Sequence, residues 1–174
     1  FADPTVMNSL SPAQMFFTTK YGRMQQMMPP WQQRLDDSQI WDAVAFAWSL
    51  HTEQKAVAAG KELYDANCAS CHGETGKGDG PETQNTIVDF SDPQYAIFKS
   101  QADWQSGWEA EHPQIGQDWS AEDRSSVLEY IRTFSYLPPW ESPYKPGTGV
   151  ISGVVVTSTS ASTPVEGAPI VLEA

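Results

Sequence analysis

Cys68-Ala69-Ser70-Cys71-His72 is the stretch on which the reading of this chain turns. Two thiols three positions apart, followed at once by an imidazole, are what covalent attachment of haem requires. The thiols can add to the two vinyl groups on one edge of a porphyrin, and the histidine is carried under the iron as proximal ligand. Other readings of the same residues are a thioredoxin-like redox pair, half of a zinc site, or chance. A redox pair of that kind should follow a strand and open a helix, whereas residues 60–67, which lead into this pair, look helical. A structural zinc site wants four ligands, usually as two pairs, and the chain has 2 cysteines in all.

The residues that follow, His72-Gly73-Glu74-Thr75-Gly76-Lys77-Gly78-Asp79-Gly80-Pro81, are rich in glycine, which permits positive φ and lets backbone wrap closely on a flat cofactor. This run resembles the loop after the haem motif in small single-haem cytochromes c. The resemblance implies a mainly α fold, the cytochrome c fold around one haem c held at Cys68 and Cys71. It also implies that a proline carbonyl near the end of the loop accepts a hydrogen bond from the proximal histidine, fixing its orientation and raising its basicity. Pro81 is the matching residue.

A chain of 174 residues allows one or two small domains. Its net charge of -12 disfavours nucleic acid and anionic membrane surfaces as partners, and favours basic partners or plain solubility. No signal peptide opens the chain, and no apolar run approaches the roughly 18 residues of a membrane span. Haem c is attached outside the cytoplasmic membrane in bacteria. The resemblance therefore implies a periplasmic, cell-surface or extracellular location and a chain that is processed or part of something longer.

An internal repeat organises the rest. Met28-Pro29-Pro30-Trp31 and the residues 35–50 align without a gap on His112-Pro113-Gln114-Ile115 and the residues 119–134, 84 positions on. Leu35 meets Trp119, Val44 meets Leu128 and Phe46 meets Tyr130, while Phe1-Ala2-Asp3-Pro4 echoes Phe90-Ser91-Asp92-Pro93 at a slightly different offset. Such self-similarity marks one structural unit used twice. In small cytochromes c that unit is the second half of the domain, so residues 1–52 resemble the back half of a cytochrome c domain and 53–140 a complete one. A half domain without its haem-attaching front departs from the family and suggests part of a multi-haem protein, or a lobe completed by another chain.

Helices are expected over 11–21, with Ser11 as N-cap and Pro12 at the first helical position, and over 37–50, capped by Asp36 with Gln39 at capping-box spacing. His51, at the end of the latter, reads as a favourable charge on the helix dipole. In the complete domain an opening helix is expected over 54–66 and a closing helix over 121–134, capped by Ser120, and the resemblance to cytochromes c implies that they cross closely, with Gly60 near Leu128 or Ile131. Trp104, Trp108 and Trp119 are candidates to line the haem pocket. Residues 141–174 begin as a Pro/Gly linker, and 150–159 and 170–173 read as strands resembling the start of a carboxypeptidase-regulatory-like β-domain. Two strands are not stable alone, so this β tail should pair with another domain or chain.

A six-coordinate haem needs a second axial group. Methionine is the family's common choice, yet Met7, Met15, Met24, Met27 and Met28 all precede the haem motif. Register with Met28-Pro29 nominates His112 instead. The same register makes Met28, or its neighbour Met27, the ligand to a second haem attached to another front half, the competing account being that residues 1–50 have lost their haem and merely shield the complete domain. Two closed haem faces favour electron transfer among redox partner proteins or subunits of a larger assembly. A haem enzyme, such as a peroxidase or the cytochrome domain of a dehydrogenase, and a structural or adhesive module with a haem electron port are the alternatives. Replacing Cys68 and Cys71 together by Ala is expected to abolish haem staining of the polypeptide on denaturing gels, whereas haem that acid-acetone extracts from the unaltered protein would refute covalent attachment.

Overall fold

Four of the five long helices begin where a side chain accepts a backbone N–H group that the first turn leaves unpaired. In the computed structural model, which describes residues 3–138 and 140–141, the order is α1 (Pro4–Met7), α2 (Pro12–Tyr21), a 3-10 turn (Met24–Gln26), α3 (Asp37–Ser49), α4 (Gln54–Asn67), α5 (Ala69–His72), α6 (Pro93–Ala96), α7 (Gln101–Glu111) and α8 (Ala121–Arg132). Reciprocal capping boxes start α2 (Ser11 with Gln14), α3 (Asp36 with Gln39), α7 (Ser100 with Asp103) and α8 (Ser120 with Asp123). Among the described residues there is no strand, and the one isolated β-bridge joins Arg23 and Met28. The strands expected at 150–159 and 170–173 lie outside the described residues. The described residues belong to one compact unit.

Two cores fill this unit. One gathers Met7, Met15, Phe16, Ile40, Val44 and Trp48 between α2 and α3, with Trp41 stacked on Phe16 at 4.3 Å. The other is built where α4 crosses α8, around Tyr64, Phe90, Val127 and Ile131. Tyr64 is fully buried, sets its ring edge-on to Tyr130 and Phe134 at 5.3 Å each, and donates its hydroxyl to the Gly73 carbonyl at 2.8 Å. The crossing is so close that a Cβ on Gly60 would run into the Ser126 backbone carbonyl and the Tyr130 side chain. The contact expected at Leu128 or Ile131 is thus found at Ser126 and Tyr130, because the helices meet through backbone at the closest point and leave Leu128 and Ile131 to either side.

The repeat extends further than the matched sequence. Asp3 and Asp92 each cap a one-turn helix with proline at its start, and Ser11 and Ser100, 89 positions apart like the aspartates, each cap the long helix that follows. Ala13 donates its backbone N–H to the Ile97 carbonyl at 2.8 Å, and Ala102 donates to the Asn8 carbonyl at 2.9 Å. At the same 89-residue offset Ala13 aligns with Ala102 and Asn8 with Ile97, so each bond is the repeat image of the other. The two halves face each other about a local pseudo-two-fold.

A buried polar cluster closes the same junction. Arg132 donates to both Glu129 oxygens at 2.9 Å and to His51 Nε2 at 2.7 Å, and lies over the Trp48 ring at 4.3 Å. Thr52 donates to Glu129 at 2.9 Å and shares a 2.8 Å bond with the Tyr136 hydroxyl. Because Arg132 can only donate, His51 must accept through Nε2. Burial first, and the Arg132 charge second, push its pKa down to about 4. His51 is therefore neutral rather than a charge on the α3 dipole, and its 3.9 Å approach to Glu129 is not an ion pair.

Two outcomes follow from this packing. Gly60→Ala is expected to cost about 3 kcal/mol, at the upper end for overpacking, and to lower the melting temperature by about 10 °C; an unchanged melt would mean that the helices separate without cost. As pH falls from the ordinary histidine value of 6.5 toward 4, the unfolded chain takes up a proton that folded His51 refuses, so stability should decline across that window. Burial raises the Glu129 carboxyl pKa and works in the opposite sense. Melts of His51→Gln, which keeps an acceptor for Arg132, should fall less steeply over the window than those of the unaltered chain; equal slopes would show that His51 titrates normally.

Candidate haem site

The motif itself forms one helical turn. Helix α4 ends at Cys68, whose φ of -122° breaks the helix, and the chain restarts as α5, with Cys71 and His72 both bonding back to the Cys68 carbonyl. Both cysteines are half-buried free thiols. Gly73, at φ 79°, turns the chain out of α5 in a conformation that a side chain would strain, and its carbonyl receives the Tyr64 hydroxyl. The loop then folds back under the motif: Gly80 N–H reaches the Cys71 carbonyl, Glu82 N–H the Ser70 carbonyl, and the Thr83 hydroxyl the Cys71 carbonyl.

His72 lies between two rings. Phe90 stacks on it at 4.6 Å with 21° between planes, and His112 stands 6.0 Å away, centroid to centroid, at 87°. Burial chiefly, and the nearness of His112 next, lower the His72 pKa, which keeps the imidazole in the neutral form that binds metal. Its Nδ1 is buried without a hydrogen-bond partner among the described residues. The backbone carbonyl that lies toward the ring is that of Val88, whereas Pro81, expected in this role, is exposed, and no bond from His72 to it occurs among the described residues.

His112 is placed by a helix that the sequence reading omitted. It is the C-cap of α7, with its N–H on the Trp108 carbonyl and its own carbonyl accepting from Ile115. Ser100-Gln101-Ala102-Asp103 carries the capping spacing that would have revealed this helix. Trp104 sets its edge on Phe90 at 5.4 Å, Trp108 meets Trp119 at 5.4 Å, and a cleft of about 240 Å³ beside His112 is lined by Trp108, Ile115 and Arg124 among others. Trp108 thus flanks His112, and Trp104 backs the Phe90 ring that stacks on His72. Met28 is not part of this group: its described hydrogen bonds are with Arg23, and Met27 beside it is 90% exposed in a left-handed conformation.

These residues fit a covalent haem better than the alternatives. Imidazoles bound to opposite faces of one metal, each about 2 Å from it, have ring centres about 6 Å apart, and the His72 and His112 rings have that separation. A redox dithiol needs a stabilised thiolate, whereas burial, with Cys71 adding to it, pushes the Cys68 thiol up to about 11. Zinc lacks ligands, since no group of three or more His, Cys, Asp or Glu side chains able to hold a metal occurs among the described residues.

Residues 57–135 match the family described as cytochrome c, and this part of the chain is a cytochrome c domain. Over 54 residues the chain is 43% identical to the Cbb3-type cytochrome c oxidase subunit FixP of Rhizobium etli, a match that covers 29% of this chain and 19% of that protein. The chain therefore spans about a fifth of the length of that curated relative. No solved structure matches it. No described helix is long and apolar enough to cross a membrane.

Proposed function

We propose that this chain transfers electrons through one haem c, bound by Cys68 and Cys71 and ligated by His72 and His112. The observation that carries this is the 6.0 Å apposition of the two imidazoles within a shell of aromatic rings. A haem held there supplies a one-electron ferric/ferrous couple. The protein's part is to hold both axial imidazoles neutral, to keep exogenous ligands off the iron by filling both sides, and to surround the pair with apolar rings. Two nitrogen ligands favour the ferric form and a lower potential than histidine with methionine would give.

Resemblance to a terminal-oxidase subunit supports a role as one subunit of an electron-transfer complex, and covalent haem supports a periplasmic, cell-surface or extracellular place for it. The repeat supports a multi-haem arrangement in which residues 1–52 serve a second haem, with Met28 at the position that corresponds to His112. In that arrangement Met28 would give its haem the higher potential of the two, a gradient suited to passing electrons along the chain.

Ligand exchange on the haem-loaded chain tests the central claim. The unaltered ferrous protein should bind carbon monoxide slowly or not at all, His112→Ala should bind it readily, and His112→Met should raise the midpoint potential while leaving the haem covalently attached. Rapid carbon monoxide binding by the unaltered protein would instead favour a haem enzyme with an open face.

A further inference from the structure

The outer face of α3 has a counterpart of known partner within the same molecule. On α8 and in the turn just after it, Ser126, Val127, Tyr130 and Phe134 receive α4: Gly60 meets Ser126 and Tyr130, and Tyr64 sets its ring against Tyr130 and Phe134. Val127 is 1% exposed in the core that Tyr64 centres. Under the 84-residue alignment the corresponding residues of α3 are Asp42, Ala43, Phe46 and Leu50. All four are exposed, Phe46 at 65% and Leu50 at 45%. The rest of α3 keeps the relations of its counterpart: Val44 matches Leu128, each 2% exposed, and Trp48 matches Arg132, with which it is in contact across the junction. So α3 is buried where α8 is buried by the junction, and bare where α8 is covered by α4.

We infer that this bare face seats the haem-attachment half of another cytochrome c domain, an amphipathic helix with a small residue at the crossing and an aromatic one turn later, followed by its own Cys-x-x-Cys-His turn. The inference rests on the reading of residues 1–52 as the back half of a haem domain. The small residue would lie over Asp42, as Gly60 lies over Ser126, and the aromatic would enter between Phe46 and Leu50, as Tyr64 enters between Tyr130 and Phe134. Ala43 is smaller than Val127, which leaves more room for the incoming helix at that point. Met28 then stands in register to face the incoming haem, as His112 faces His72.

The probe is the haem-bearing peptide of residues 53–83, which carries α4, α5 and the loop of this chain, added to the haem-loaded full chain. Titration followed by tryptophan quenching should show one peptide bound per chain, and Phe46→Glu should weaken binding at least about tenfold without changing the chain's own haem spectrum. Absence of binding up to about 1 mM peptide, or binding that Phe46→Glu leaves intact, would overturn the inference. So would self-association of the full chain that Phe46→Glu abolishes, since the face would then seat a second copy. Met28→Ala separates the two readings. If the peptide still docks and its haem spectrum is indifferent to that change, the seat on α3 stands and the ligand role of Met28 falls.

Discussion

Everything in the complete domain hangs on the crossing of α4 over α8. Gly60 lets the two backbones meet, and this brings Tyr64 down onto Tyr130 and Phe134 with its hydroxyl on the Gly73 carbonyl. That single side chain joins the helix crossing to the end of the motif turn. The orientation of Cys68, Cys71 and His72 is therefore set by a contact two turns upstream, and His112 is set independently by where α7 ends. The site is precise because two rigid elements converge on it, neither of them a free loop.

The haem motif and the long capped helices were legible from local chemistry, since a side-chain cap or a thiol spacing is visible within a few residues. Residues 12–21 and 37–49 were anticipated nearly to the residue by Ser11, Asp36 and their partners. Helix α7 carries a local signal in its capping box at Ser100 and Asp103, but its apolar residues, chiefly Trp104 and Trp108, are too few to mark a helical stripe. His51 departs from expectation for a different reason. Whether a histidine is buried beside an arginine depends on contacts between segments far apart in sequence, as with His51 and Arg132. The repeat in turn was legible in its second part and in the Asp-Pro pair that opens its first, because beyond that pair α1 and α2 share little with α6 and α7 except their caps and the Ala13 and Ala102 bonds.

The buried Arg132 cluster has a counterpart to its charge in burial cost. Removing one partner from such a pair strands the other in a low-dielectric site, which is why buried ion pairs are weak sources of stability yet costly to break. Placed between Trp48, His51 and Thr52 on one side and Glu129 and Tyr136 on the other, it makes the junction of the two halves depend on matched polar groups as well as on apolar contact. A first half that lost His51 and Thr52 would leave buried Arg132 and Glu129 with only each other as partners, at the cost of the His51 acceptor and the Thr52 donor.

The change of offset between the helices of the repeat, from 89 positions before the distal loop to 84 after it, confines five additional residues to the stretch that the Arg23 to Met28 bridge closes off. Descent from one ancestral unit by duplication explains both the shared caps and this one unequal segment. The turn loops out and rejoins the frame through a single pair of backbone bonds, so residues can be gained or lost there without moving α2 or α3. Divergence between the copies is thus concentrated in this turn, while the capped helices on either side keep the common scaffold.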